Sequence, residues 1–325
     1  MNKSDTQKFI PYYDMAAEAS AVLRGETNRE IPGVSEEVEE KDEYRLSVIR
    51  ILNDEGASAL ERSKGTYATI DVKADLTDAN TETNVVSVFS KILRDLLPPE
   101  NGDTVLICGI GNPEIASDAL GKRTVENMIP TRHLFRTDML RDKEGFVSTA
   151  LFTPNVLGNT GIEASEFTRA VTRELRPRAV IMVDALATAS FHRLGASFQL
   201  TDTGLAPGGG IGNTRPAISR DTLGIPVIAI GVPTVIYPQA IVMDAFEKMK
   251  RELFSKEKKS AALQSWNAAE EILYQNMRDQ MQMFAVTPKD IDLSVGFLAK
   301  IISGGIQTAL HPEVTAENYR EYFPR

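Results

Sequence analysis

Apolar and polar positions along the chain fall into two periods. Tyr44–Leu52 and Thr66–Val72 alternate apolar and polar residues, which predicts half-buried strands. Thr104–Ile110, Ala179–Val183 and Ile225–Ile230 are instead continuously apolar, as expected for strands of a parallel sheet covered on both faces. Phe146–Phe152 and Ser197–Thr201 are further strand candidates. Helical periodicity marks Met15–Leu23, Val85–Leu97 (stopped by Pro98-Pro99), Asp118–Met128 and Glu163–Leu175. It returns over Tyr237–Phe254, Ala261–Phe284 and Lys289–Leu310, where Thr287 and Pro288 read as the cap and first residue of a helix. Glu36–Glu43 is nearly all acidic and reads as a solvated turn or hairpin tip, and Ser255–Ser260 as an exposed linker. The pattern predicts an α/β protein: a mostly parallel central sheet flanked by helices, with an N-terminal β-rich extension. No internal repeat or second-domain boundary interrupts it.

Composition narrows the classes of partner. The chain has 325 residues, of which 42% are hydrophobic and 25% charged, enough apolar material for one large domain. A net charge of −9 argues against nucleic acid or an anionic membrane as the main partner. The single cysteine, Cys108, rules out an internal disulfide framework and suits a reducing compartment. The N-terminus lacks the apolar core of a signal peptide, and no apolar run reaches the ~18 residues of a membrane span. The expectation is a soluble cytoplasmic protein.

The candidate chemistry gathers at strand ends. The run Val105–Ile110 leads into Gly111-Asn112, and Ser117-Asp118 follows where a helix should begin. The run Ala179–Val183 leads into Asp184. In an open α/β sheet both acids would lie near the carboxyl edge, where ligands bind. Asp118 also has a structural reading, as an acid offsetting a helix dipole with Ser117 as cap. Asp184 follows five apolar residues, and a buried carboxylate is costly unless paired or protonated. Asp202, in a Thr-Asp-Thr-Gly turn, is a third candidate. Gly109 and Gly111 match the start of a dinucleotide fingerprint, but Glu114 stands at its third glycine and would repel a pyrophosphate. The cluster Pro207–Asn213, including Gly209, reads either as a turn or as a bare loop that an extended peptide can approach. His133 is a site residue or a core histidine; His192 and His311 have no ligand partners at useful spacing. Cys108, inside a strand, reads as core rather than nucleophile.

These motifs resemble the germination proteases of spore-forming bacteria. The likeness rests on Gly109-Ile-Gly-Asn112, Asp118-Ala-Leu-Gly121, Thr131-Arg-His-Leu-Phe135, Gly158–Glu163, Val183–Ala187, Asp202-Thr-Gly204, Pro207–Asn213, Thr222–Thr234 and Val286–Asp290. The resemblance implies an endopeptidase of small acid-soluble spore proteins, with an α/β core similar to that of the hydrogenase-maturation peptidases. It implies catalytic aspartates at Asp118 and Asp184 and an aspartic mechanism. It also implies a zymogen that loses a short propeptide, here residues 1–13 ahead of a single peptidase domain over 14–325. A homotetramer in the cytoplasm of the spore core is the implied assembly. Where the family usually has Arg-Thr-Asp-Leu-Ala, this chain has Tyr12-Tyr-Asp-Met-Ala16. Ala206 stands where many members have a histidine, which removes a third metal ligand.

On this reading a water held between Asp118 and Asp184 attacks the peptide bond, one acid ionised and the other protonated. Amides of Gly109–Asn112 are expected to stabilise the oxyanion. Gly109, Gly111, Asn112, Arg132, His133, Glu163, Asp202 and Gly209 are expected to support or bind substrate. Lys122, Arg123 or Arg132 is expected to hold a substrate glutamate. No cofactor is required. Two alternatives stand beside it: the same acids holding a divalent metal, and a nucleotide-binding regulator without proteolysis.

Overall fold

The computed structural model describes residues 14–27, 30–100, 104–137, 139, 145–206, 216–254, 284–324 and part of 265–277. In chain order the elements are α1 (Ala16–Thr27), β1 (Val34–Glu40), β2 (Tyr44–Ile51), α2 (Asp54–Leu60), β3 (Gly65–Val72), α3 (Ala79–Leu96) and β4 (Val105–Gly109). They continue with α4 (Leu120–Glu126), α5 (Arg132–Arg136), β5 (Thr149–Phe152), α6 (Leu157–Thr160), α7 (Ala164–Leu175), β6 (Ala179–Thr188) and β7 (Ser197–Thr201). The last are α8 (Arg220–Leu223), β8 (Val227–Ile236), α9 (Pro238–Phe254) and α10 (Ile291–Leu310). The expected propeptide 1–13, the 255–260 linker and Gly209 lie outside the described residues, as does part of the 261–284 helix.

One sheet organises all of this, with strand order β1-β2-β3-β7-β8-β6-β4-β5. The β5-β4-β6-β8 half is parallel. The β-rich N-terminal extension is antiparallel, and β7 joins it to the same sheet by pairing antiparallel with both β3 and β8. The result is a mixed α/β sheet with helices against it.

The period-2 geometry of strands explains the two-sided core. Val105, Ile107, Ile181 and Val183 face a cluster with Phe89 and Leu93 of α3 and Leu298 and Ile302 of α10. Leu106, Cys108, Val180 and Met182 face the other side, against Val171, Leu175 and Ile218. Each such buried side chain contributes about 1.5–3 kcal/mol relative to exposure. A third cluster seats α1 and α2 on Ile49, Ile51 and Tyr67. Helix α10 is long and apolar enough to cross a membrane by composition, yet most of it is buried within the protein. Its Gly305 lets Phe89 approach where a Cβ would lie 2.3 Å from the ring.

Three sequence expectations change. The acidic stretch is a strand through Glu40, and only residues 41–43 turn. Its charges are matched across the ladder: Arg50 to Glu37 at 2.6 Å, Lys73 to Glu40 at 3.1 Å, and the Ser47 hydroxyl to Glu36 at 2.9 Å. Acids on an outermost strand also discourage edge-to-edge pairing. The helix expected at Thr287 begins instead at Ile291, because Val286 is bridged to Ile236 by amide–carbonyl bonds of 2.8 and 2.9 Å. The helix expected from Asp118 starts at Leu120, after a short 3-10 turn over Ala116–Asp118.

Candidate active site

Strand β4 ends at Gly109, and the chain turns through two glycine-dependent contacts. Gly109 and Gly121 pack so closely that a Cβ on Gly109 would lie 2.2 Å from the Gly121 carbonyl oxygen. This seats α4 against the sheet, so Gly109 is a packing residue rather than a substrate contact. Gly111 adopts φ +109°, and a Cβ there would lie 2.0 Å from the Asp118 carbonyl oxygen. Only glycine tolerates both the backbone angle and the approach. The loop therefore folds back on itself, and the Asn112 amide donates to Oδ2 of Asp118 at 2.7 Å. The Asn112 side chain accepts from the Glu114 amide at 3.0 Å, bracing the same turn. Ser117 does not cap the helix. Its carbonyl accepts the Thr234 hydroxyl at 2.6 Å, pinning the turn to β8.

Two of the amides expected to form an oxyanion hole are engaged elsewhere. The Ile110 amide is bound to the Val183 carbonyl at 2.8 Å, and the Asn112 amide to Asp118. The loop orients the aspartate.

Asp184 lies within β6, not at its end. The strand runs on to Thr188 beside β8, with its register shifting between Leu186 and Ala187. The polar break read as a strand end is a carboxylate turned toward a cleft. Asp184 accepts from the Ala185 amide at 2.9 Å. Its pKa is raised well above the usual carboxylate range, first by burial, then by the charge of Asp118, with Asp14 adding to it. The two acids are thus electrostatically coupled, and they line one cleft of about 1220 Å³. Gly111, Asn112, Asp202, Gln199, Arg62 and Tyr67 are among its other lining residues.

Asp14 also lines this cleft, which sequence reasoning missed. The register shift in β6 leaves the Ala187 amide to donate to Oδ2 of Asp14 at 2.7 Å. Burial raises the Asp14 pKa, while that bond and the Arg62 charge oppose the rise. Its neighbours in sequence are equally tied down: Ala16 donates its amide to Gln199 Oε1 at 2.8 Å, and Glu18 is buried against Thr188. An acid four residues before another within an apolar stretch is the only trace of this in the sequence.

The remaining predicted residues divide. Asp202 is in the cleft wall, where its carboxylate accepts the Thr66 amide at 2.8 Å and joins the ends of β3 and β7. Arg132 and His133 are on α5 and are not among the residues lining the cleft; buried Thr131 anchors that helix through Val147 and Thr149. Glu163 is the N-cap of α7, its amide bonded to Glu166 Oε2 at 3.1 Å in a capping box. Lys122 pairs with Glu126 at 3.6 Å and Arg123 with Asp292 at 3.7 Å, and neither is among the residues that line the cleft. Among the described residues, the basic ones that line the cleft are Arg62, Lys64 and Arg220.

Cys108 and His311 are structural. Cys108 is buried beside Thr168, and burial pushes its thiol far up. Burial lowers His311 to about 4, and its Nδ1 accepts the Val147 amide at 3.1 Å, as a neutral imidazole does. Among the described residues, no group of three or more His, Cys, Asp or Glu side chains is placed to hold a metal ion. The donor set therefore does not fit a resident metal of the kind held by three protein ligands.

Comparison with known proteins places this cleft in a family. The germination protease family model, Peptidase_A25, matches residues 10–278. A germination protease of Caldanaerobacter subterraneus subsp. tengcongensis is 36% identical over 315 residues, covering 95% of this chain and 96% of the relative. One from Clostridium perfringens (strain SM101) is 34% identical over 322 residues, covering 95% and 98%. Among solved structures, the [NiFe] hydrogenase maturation protease HycI of Thermococcus kodakarensis KOD1 matches with a TM-score of 0.33 and 15% identity, over 66% of this chain and 98% of that one. By sequence over nearly its whole length, the chain belongs to the germination protease family.

Proposed function

We propose that this protease is an endopeptidase that begins the breakdown of small acid-soluble spore proteins at germination, using a water activated between Asp118 and Asp184. The observation that carries the reading is the shared cleft, in which the charge of Asp118 and burial together disfavour ionisation of Asp184. Like charges in one site resist joint ionisation, so one proton is shared between them. Asp184 is the protonated partner and Asp118 the carboxylate, steadied by the Asn112 amide.

In the first step Asp118 takes a proton from water while the water oxygen bonds to the substrate carbonyl carbon. Asp184 gives its proton to the carbonyl oxygen, so the tetrahedral intermediate is neutral. In the second step the C–N bond breaks, the leaving amine takes the proton from Asp118, and the intermediate returns a proton to Asp184. Both acids end in their starting states. Acid–base transfer of this kind is worth about 10²–10⁴-fold in rate.

The family also supports a zymogen whose first 13 residues are removed, a homotetrameric assembly, and action in the spore cytoplasm. Asp14, the first residue after that boundary, is bound in the cleft.

Asp118→Asn and Asp184→Asn test the dyad. Each is expected to lower kcat on a purified small acid-soluble spore protein by at least about 10²-fold, with a cooperative unfolding transition retained. Near-normal turnover in either variant would end the assignment.

A further inference from the structure

Gln199 is a buried amide in the middle of β7, between Phe198 and Leu200, which point into the core. Burying such a group costs free energy unless both its ends are hydrogen-bonded. Here both are. Oε1 accepts the Ala16 amide at 2.8 Å, and Nε2 donates to the Asp14 carbonyl at 3.3 Å. The side chain thus spans the main chain on either side of Met15. These are backbone groups, which any peptide offers. The side chain at the near end of the grip is recognised differently. The Asp14 carboxylate accepts the Ala187 amide, and Arg62, lining the same cleft, acts on it with its positive charge.

The segment 14–16 is therefore held as a peptide ligand would be, beside the two acids. We propose that Gln199 and Arg62 are the substrate-reading residues of this cleft: Gln199 clamps the peptide main chain, and Arg62, with the Ala187 amide, receives an acidic side chain two residues before the far end of the clamp. The substrate takes the positions that residues 14–16 hold here. This rests on the peptidase reading of the cleft and adds to it the groups that select the substrate. It also replaces Lys122, Arg123 and Arg132 as receptors for a substrate acid, since none of the three is among the residues that line the cleft.

The chemistry divides the two roles. A neutral amide bonded to main-chain atoms cannot distinguish glutamate from glutamine, so Gln199 supplies binding without selecting the side chain. A guanidinium attracts a carboxylate more strongly than the neutral amide of the same shape, because ion pairing adds to the hydrogen bond, so Arg62 supplies the selection.

The test uses the full chain, before and after an incubation that allows N-terminal processing. Two substrates are compared: a small acid-soluble spore protein with mapped cleavage sites, and the same protein with the acidic residue at the cut changed to its amide. The unchanged enzyme is expected to prefer the acidic form by about 10- to 100-fold in kcat/KM. Arg62→Ala should reduce that preference to within about threefold, and Arg62→Lys should restore part of it. Gln199→Leu should raise KM on both substrates by about 10-fold and leave their ratio in place. Melting curves separate these effects from misfolding, and Arg62 is only partly buried, so its variants keep the fold. An acid preference that persists in Arg62→Ala, or unchanged KM values in folded Gln199→Leu, would overturn the inference while the peptidase reading stands. Failure of the unchanged enzyme to cut either substrate in either state would overturn both.

Discussion

The amide of Asn112 donates to the carboxylate of Asp118 across 2.7 Å, and that bond depends on the residue before it. Gly111 holds φ +109° with no room for a Cβ against the Asp118 carbonyl. Gly111→Ala must open this turn, so the aspartate loses its amide donor and its position. The expected outcome is a stability loss of about 1–3 kcal/mol and a fall in kcat of about 10²-fold. Calorimetry and steady-state kinetics on one preparation check it, and a folded variant with normal kcat would show that the loop does not aim the acid.

The raised pKa of Asp184 makes two signed predictions. Between the unfolded value of 3.8 and its raised folded value, the native state binds the extra proton, so stability falls as pH rises through that window. Asp184→Asn removes the penalty. The variant should melt higher than the unchanged protein at pH 7, by ~2–4 °C if the buried charge costs on the order of 1–2 kcal/mol, and the gap should close toward pH 4. In the unchanged enzyme kcat should decline as pH rises through the folded pKa, because the donor loses its proton. Equal melting temperatures at pH 7 would mean the carboxylate is well solvated.

How far the chain discloses this site depends on the separation of the partners. Asp118 and Asp184 were legible because each sits beside an apolar run whose strand character is local. Val105–Gly109 and Ala179–Val183 emerge as neighbours in register, from Val105 opposite Ala179 to Gly109 opposite Val183. Asp14 was not legible. Its carboxylate meets Ala187 and its carbonyl meets Gln199, both well over a hundred residues away, and nothing local in Tyr13-Asp14-Met15 announces either. Gln199 sits in a strand whose alternation looks like ordinary core. Arg132, His133 and Glu163 came from motif resemblance, and the fold uses Thr131 and Glu163 to anchor and cap helices. The acidic stretch misled for a related reason: its carboxylates are met by Arg50 and Ser47 of β2 and by Lys73 just after β3, so a strand there is tolerated.

The C-terminal turn offers a stability test remote from chemistry. Glu82 of α3 is buried and accepts the Tyr319 hydroxyl, and Arg320 pairs with the same carboxylate. Removing one partner from a buried polar group costs more than the bond is worth. Glu82→Gln should destabilise the fold by roughly 1–3 kcal/mol with kcat on a protein substrate unchanged. Denaturant unfolding reads the first and a cleavage assay the second; a large loss of kcat would mean that α3 and the C-terminal turn communicate with the cleft.

Chelation separates the dyad from metal-assisted hydrolysis. The described acids of the cleft do not assemble with histidine or cysteine into a three-donor group. A metal held by two carboxylates alone would be weakly bound and readily removed, because structural and catalytic sites of divalent zinc ordinarily use three or four protein ligands. Exhaustive dialysis against a chelator is therefore expected to leave kcat within about twofold, and elemental analysis to find less than one equivalent of metal per chain. If activity falls instead by about 10²-fold or more and returns on adding one divalent ion, the ion rather than Asp118 lowers the pKa of the attacking water. In that case Asp118→Asn should also weaken metal binding, which titration calorimetry with the same ion would measure directly.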